Sequence, residues 1–572
     1  MANIKPERAY EKLTADGFGG IRYASALTGE GAAAMRNFRV APDGSLEKRC
    51  GSSTLYALNG TVRGVWQGTL ENRSYLAAVA GNRVYVRRPD ASEPEVDFYL
   101  QTSEGPVCFI TLGGVLFLFD GDNLYRYSVS SSTFTLSYGY APLYGTNWHP
   151  TEMGSVNEPL NMVSPRIRIR YLNSVGSTDF VLPYTAVSID RMDVDGVAFA
   201  DYTFTPQTNT FRIPAARAHG VLTVAVTLSG VFSQRSLLAG ANRGYVYRDA
   251  SHETLLLYGG DRGYRVFASS AVTEEMFAAS SVCYPNTDPL YFPAGCGFYL
   301  GDMQHPVHVL CRDRNRVLAL SDRAIWAIEY AGDDLVSYPM EGGVGCSAPG
   351  GLALCGDDPV VVQESGVFRL HFPSGESDVC VASALSDGVS EFFSSSLLRH
   401  GILAWFPDRN ELWLRDPTET EEGLVWVWSS VRREWYCFDN LYATAFFELN
   451  GTVGFGTPDG RLVLPDNDAD TDDGDPIAAY YRSHFLAFAH PEVPKRVYRA
   501  AVCADTGGET LTLTVTTDRH TRAFSATGTV SDKPSYFEFR AGMGRFRFLR
   551  YELAVSGGVR TRIYRFSVFA NP

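Results

Sequence analysis

An all-β protein is what this sequence predicts, and three observations carry the prediction. Aromatic residues make up 13% of 572 positions, Gly (54) and Pro (29) are plentiful, and the apolar residues gather in short pieces separated by turn formers. Rings and β-branched side chains suit a pleated surface, while Gly and Pro suit the tight turns between many short strands. A balance of 45% hydrophobic and 20% charged residues is that of a globular chain large enough for several domains and sizeable cores.

The first pieces of strand length fall at 62–66, 75–80 and 83–87, broken at Glu71 and Asn72 and again at Gly81 and Asn82. A matching set follows at 107–111, 115–119 and 124–127, with turns at Gly113, Gly114 and at Gly121, Asp122, Asn123. Two consecutive meanders of this kind read as blades. After an interruption the same grammar returns at 244–247, 254–258, 307–311, 316–320, 324–329, 360–363 and 366–371, then at 401–406, 411–415, 425–428 and 435–438. Residues 442–464, with Gly451, Gly454, Gly456 and the turn Pro458, Asp459, Gly460, form a last blade. Repetition with loosely varying spacing is what a β-propeller demands, because each small sheet buries both faces against its neighbours. No Trp-Asp, kelch or sialidase-type signature recurs.

The interruption has alternating strands of its own at 166–171, 180–182, 189–194, 202–205, 210–213 and 222–228, and Asp195 and Gly196 supply a hairpin turn. It reads as an inserted β-domain, placed where a surface loop tolerates one. The reading in full is a β-propeller with an inserted small β-sandwich domain and a C-terminal β-sandwich. Residues 1–156 form the N-terminal part of the propeller, 157–231 the insertion, 232–465 the remainder of the propeller, 466–475 an acidic linker and 476–572 the closing sandwich.

The acidic stretch Asp466, Asn467, Asp468, Ala469, Asp470, Thr471, Asp472, Asp473, Gly474, Asp475 is tested as a calcium loop, since alternating carboxylates can surround a hard cation. It fails the EF-hand spacing: Thr471 or Asp473 stands where the sharp turn needs Gly. A solvated linker is the expectation, with weak metal binding as its alternative.

A net charge of −14 excludes a general nucleic-acid-coating protein. A local basic strip stays open: Arg168, Arg170, Arg540, Arg545, Arg547, Arg550, Arg560, Arg562 and Arg565 lie among aromatics on strand-like pieces, although exposed sheet faces commonly carry such residues. Ten cysteines, Cys50, Cys108, Cys283, Cys296, Cys311, Cys346, Cys355, Cys380, Cys437 and Cys503, include no Cys-x-x-Cys pair. They read as dispersed core residues of a reducing compartment, with disulfides left open by the even count. The polar start 1–10 holds no apolar signal core, and the longest apolar run, 115–119, is too short to span a bilayer, so synthesis in a cytoplasm is expected.

Catalytic signatures are missing: no Gly-x-Ser-x-Gly, no phosphate-binding Gly-Lys-Ser/Thr loop and no His-Glu-x-x-His. Thr516, Thr517, Asp518, Arg519, His520 is similar to the start of a sialidase Asp-box but has His520 where that turn uses Gly. His305 and His308 near Asp302 form a weak His-x-x-His, and the carboxylate pairs Asp357, Asp358 and Glu421, Glu422 sit in turns where solvation explains them. No catalytic, cofactor-binding or metal residue is assigned, and no cofactor is expected.

The order of motifs resembles the β-propeller hub proteins of bacteriophage tails, including the packaged-DNA stabilisation proteins and, more distantly, the tail nozzles of short-tailed phages. The resemblance covers most of the chain. It rests on Phe18, Gly19, Gly20, Ile21; on Asn37, Phe38, Arg39 followed by the run Asp43 to Gly51; and on Val62, Arg63, Gly64, Val65, Trp66 opening the first blade. Trp435, Tyr436, then Gly454, Phe455, Gly456 with Asp459, Gly460, Arg461 continue it. So do the exit Thr471, Asp472, Asp473, Gly474, Asp475, Pro476, Ile477 and the closing pieces Lys495, Arg496 and Arg545, Phe546, Arg547, Phe548. Cys50 departs from the pattern, which has Pro there.

The resemblance implies a structural virion protein and no enzyme. It would be a homo-oligomer, a hexameric ring below the portal and adaptor proteins, extending the DNA channel. Such a ring helps retain packaged DNA, lets double-stranded DNA pass at ejection, and supports tail fibres, spikes or nozzle proteins. Its place would be the virion tail, after synthesis in the bacterial host cytoplasm. A phage receptor-binding or glycan-binding propeller is the second reading, and a polysaccharide hydrolase the third, because propellers host unrelated functions.

Overall fold

In the computed structural model, the described residues are 11–24, 28–121, 123–137, 139–229, 241, 243–248, 253–259, 263–269, 290–293, 297–300, 304–332, 334–373, 378–488, 492–528 and 534–571. Among them the chain is β-structure almost throughout, and no helix is long and apolar enough to cross a membrane. It divides into two compact units, Trp66–Glu341 and the combination of Met1–Val65 with Gly342–Pro572.

The architecture is that of a β-propeller. Seven blade-like antiparallel sheets follow one another along the described chain. Blade 1 is Val62–Leu70, Arg73–Ala80, Arg83–Arg87 and Glu95–Tyr99; blade 2 is Cys108–Leu112, Val115–Phe119, Leu124–Ser128 and Thr133–Leu136. Blade 3 (Arg243–Arg248, Glu253–Tyr258, Arg265–Ala268, Gly297–Tyr299) and blade 4 (Val307–Asp313, Arg316–Ser321, Ile325–Ala331, Asp334–Pro339) complete the first unit's share. Within this unit successive blades stack face to face. Val79 and Val84 of blade 1 share a core with Leu118 and Tyr125 of blade 2, Ile110 and Phe117 of blade 2 with Leu257 and Phe267 of blade 3, and Leu256 and Val266 with Val317 and Ile328 of blade 4.

The second unit holds blade 5 (Leu352–Cys355, Asp358–Gln363, Gly366–His371, Val379–Ala384), blade 6 (Ile402–Phe406, Glu411–Arg415, Val425–Ser429, Glu434–Phe438) and blade 7 (Ala445–Leu449, Thr452–Gly456, Arg461–Pro465). Inner strands such as Glu411–Arg415 and Val425–Ser429 are buried at every residue, because both faces of a blade are covered. That is why they read as unbroken apolar runs rather than as alternation. Blade 7 takes a further strand, Ser52–Ala57, from ahead of blade 1 in the sequence, paired antiparallel to Arg461–Pro465. The piece before the first blade is thus part of the last, a connection that local periodicity does not reveal.

The insertion is a six-stranded sheet and a three-stranded sheet around Ile167, Ile169, Tyr171, Phe180, Phe211 and Val224. Arg166–Asn173 alternates strictly, with its isoleucines inward and Arg166, Arg168 and Arg170 outward. Asp195 and Gly196 both have positive φ, 50° and 82°, as a two-residue hairpin turn requires. The insertion begins earlier than 157. Leu143–Trp148 runs parallel to Arg166–Asn173 and sinks Trp148 into the insertion core, although its Gly and Asn disguise it as a loop. The expected end at 231 lies outside the described residues.

The closing sandwich is woven from both ends of the sequence. One sheet runs Phe38–Val40, Leu46–Lys48, Arg562–Asn571, Lys495–Asp505, Ser535–Arg540, with Glu11–Ala15 added on Arg562–Asn571 and Arg545–Phe546 on Lys495–Asp505. The other runs Ala32–Arg36, Ala479–Ser483, Phe548–Val555, Thr510–Thr517, Thr521–Thr527. Residues 11–48 therefore leave the propeller, where sequence order placed them. Their pieces are three to five residues long and acquire a buried face only against partners some 500 positions away, such as Leu13 against Val568.

The stretch 466–475 is not a solvated linker. Thr471–Asp472 pairs parallel to Ser52–Ala57 at Asp472 and Ser52, and Asp475–Pro476 folds back on it. Gly51 lies so close that a Cβ there would stand 1.9 Å from the Thr471 carbonyl oxygen, so only glycine fits. Arginines from elsewhere pair with three of its six aspartates: Arg49 binds Asp472, Arg461 binds Asp473 and Arg560 binds Asp470.

Candidate functional site

The arginines expected to form a strip divide into tied and untied ones. Arg168 and Arg170 belong to the insertion, in the other unit, and Arg168 is held by Tyr140, donating to its hydroxyl at 3.1 Å and to the Ala141 carbonyl at 2.9 Å. Arg562 pairs with Asp43 at 2.8 Å, Arg565 with Asp16, and Arg560 with Asp470 at 3.3 Å, while Arg550 stacks over Phe485. Arg540 and Arg545 are exposed and have no ion-pair partner among the described residues.

These two sit on one face with residues that spacing alone did not single out. Arg545 stands directly opposite Arg496, and Arg540 directly opposite Arg499, across antiparallel pairs flanking Lys495–Asp505. Their neighbours Val497, Ala500, Phe539 and Phe546 are buried in the sandwich core, so all four guanidinium groups project outward. Arg499 lies 4.2 Å above the Phe569 ring, and the Lys12 ammonium 5.8 Å from the same ring. Among the described residues Glu538 is the carboxylate that pairs with them, 3.0 Å from Arg499. Tyr536 adds an outward aromatic ring, 55% exposed. Lys495, by contrast, is buried and pairs with Glu11 at 3.3 Å.

Two clefts are also found in this unit among the described residues. One, of about 380 Å³, lies among Ile21, Arg36, Phe392, Trp426 and Tyr480, with Asp416 and Glu419 also in its wall. Both carboxylates are occupied internally. Asp416 accepts from the Thr418 amide and hydroxyl, and Glu419 accepts from the amides of Glu421, Glu422 and Leu424 and from Arg415. The second, of about 400 Å³, lies between blades 6 and 7 and is lined by Asp408, Asp466 and Asp468, by Arg409, and by the apolar Phe406, Val453 and Leu464.

The remaining sequence candidates are structural. His308 bonds Asp322 at 2.7 Å and burial holds its pKa below the usual value; Asp302 lies outside the described residues. Asp358 accepts from Arg369 at 2.8 Å on its own blade. Glu421 and Glu422 form the turn capped by Glu419. The Thr517 hydroxyl closes the 516–520 hairpin by accepting from the His520 amide at 2.9 Å. No disulfide joins the eight described cysteines, and Cys283 and Cys296 lie outside the described residues, as do residues 1–10 and Asp122. Among the described residues no three His, Cys, Asp or Glu side chains converge as a metal site would need.

No protein family matches this chain, and no curated protein does. Among solved structures, one similar chain comes from the crystal structure of BBS1N in complex with ARL6DN, soaked with mercury. It has 9% identity, covering 73% of this chain and 98% of that one, with a TM-score of 0.34. A likeness of that degree bears on no function.

Proposed function

We propose that this chain is a structural virion protein of a bacteriophage tail. Copies form a ring that serves as hub or nozzle below the portal and adaptor, extending the DNA channel and carrying fibres or nozzle proteins. The observation that supports this best is the interlacing of the chain: blade 7 is completed by Ser52–Ala57, and the terminal sandwich by strands from 11–48. A body tied in this way resists pulling at its ends, which is what holding packaged DNA under load requires, and reaction chemistry has no part in the role. The insertion and the terminal sandwich supply separate surfaces for neighbours.

Antibody labelling of intact particles tests the reading. Labelling at the tail vertex is the expected result, and particles that lack the chain overturn it. The cleft with Phe392, Trp426 and Tyr480 favours the second reading, a glycan-binding propeller, since aromatic faces are what sugars stack on. Retention of the isolated protein on a glycan array, lost in Tyr480→Ala, would favour that reading instead.

A further inference from the structure

The terminal sandwich keeps an arrangement that costs it stability. Two arginine pairs, Arg496 with Arg545 and Arg499 with Arg540, face each other directly across strands, where like charges repel. The chain has 64 acidic residues against 50 basic ones, so carboxylates to relieve the repulsion are not scarce, yet among the described residues only Glu538 pairs with one of the four. We propose that this arginine face docks on the groove of Asp408, Asp466 and Asp468 in a second copy of the chain. The inference rests on the reading that copies assemble, and it names the two surfaces.

The two surfaces complement each other in chemistry. Guanidinium groups are planar and bind carboxylates through paired N–H donors, while their stems and flat faces tolerate apolar contact. The groove offers both, being lined by three carboxylates and by Phe406, Val453 and Leu464, while its one lining cation, Arg409, donates to the Cys50 sulfur. Asp408, Asp466 and Asp468 have no ion-pair partner among the described residues, unlike Asp470, Asp472 and Asp473. On the arginine side the strands are packed on a continuous core, and Arg499, seated on Phe569, has little side-chain freedom left to lose. Arginine with tyrosine is also the composition that interface centres favour. Because the donor and acceptor surfaces differ, each copy gives one contact and receives one, the heterologous arrangement that propagates into a ring. A polynucleotide would meet the same arginines, but the chain's net charge of −14 opposes it.

Sedimentation velocity on the full chain tests the proposal with two charge-reversed variants, Arg496→Glu/Arg545→Glu and Asp466→Arg/Asp468→Arg. Wild type is expected to self-associate at low salt and to weaken about tenfold or more by half-molar salt, as exposed charges are screened. Each variant alone is expected to stay monomeric with an unchanged circular dichroism spectrum, and an equimolar mixture of the two to associate again. Should a double variant misfold, Arg540→Ala and Asp408→Ala replace it and are expected to weaken association severalfold. Wild type monomeric at about 100 μM in low salt, variants associating like wild type, or folded variants that fail to recombine would each overturn the interface. So would retention of wild type on heparin through these arginines without self-association. None of these results alters the particle-labelling result, and particles without the chain would leave the association in solution as measured.

Discussion

Arg49 grips Asp472 with both terminal nitrogens, at 3.0 and 2.6 Å, while its Nε donates to Asn37 at 2.9 Å and its remaining hydrogens reach the carbonyls of Cys50 and Asp439. One side chain, 3% exposed, thereby joins the N-terminal strands, the exit of blade 6 and the acidic stretch.

Removing the acceptor should be costly. Asp472→Ala leaves a buried guanidinium uncompensated and is expected to destabilise by about 3–5 kcal/mol. Asp473→Ala, which breaks the more exposed contacts to Arg461 and Thr54, is expected to cost under about 1 kcal/mol. Urea unfolding of the two variants side by side checks the ratio.

Arg496→Glu turns a repulsive cross-strand pair into an attractive one with Arg545. Stability is expected to rise by about 0.2–1 kcal/mol. The thermal midpoint measures it, and a fall would mean that the arginines are already stabilised by each other's surroundings.

Asp43 accepts from the Ser45 hydroxyl at 2.6 Å and the Ser45 amide at 3.1 Å, and it pairs with Arg562; these bonds hold its pKa at about 2, below the usual 3.8. The folded value lies below the unfolded one, so this group adds stability above the unfolded pKa and loses it as pH falls through that interval. Asp43→Asn is expected to narrow the gap to wild type as pH falls from about 4 to about 2. The site is exposed, so the gap at neutral pH stays below about 1 kcal/mol. Acid titration followed by fluorescence reads it.

Burial pushes the thiols of Cys355 and Cys437 up to about 12. Neither should react with iodoacetamide at mildly alkaline pH while the chain is folded, and both should react in denaturant. Peptide mapping by mass distinguishes the two states; modification of Cys437 in the native protein would contradict its burial.

Trp148 tests where the insertion starts. Its indole packs edge-on to Tyr171 and donates to the Ser155 carbonyl at 3.4 Å. Trp148→Ala is expected to cost about 3–5 kcal/mol and to open the insertion to protease at sites in 166–228.

The blades were legible because each is local. Runs such as 316–320 and 425–428 need only their own hairpin neighbours to be recognised. The alternation at Arg545 and Phe546 was equally readable: Phe546 is in the core and Arg545 in solvent. What escaped was long-range. Nothing near Leu13 announces Val568, nothing near Ser52 announces Pro465, and the polar look of 466–475 hides the arginines that bind it. Arg499 joins the exposed face through its register with Arg540, which depends on a bulge after Val497 that composition does not record.

The weaving of the two chain ends has a consequence during synthesis. The strands of 11–48 leave the ribosome well before their partners between 479 and 571, an interval on the order of a minute at common elongation rates. Through that interval Ala32–Arg36 lacks its partner strand, Leu46–Lys48 is paired on one edge alone, with Phe38–Val40, and blade 7 waits on sequence made after the other six. Loss of either set of strands should therefore strand the other, and a chaperone that shields short apolar segments would act on 11–48 until the partners between 479 and 571 are made.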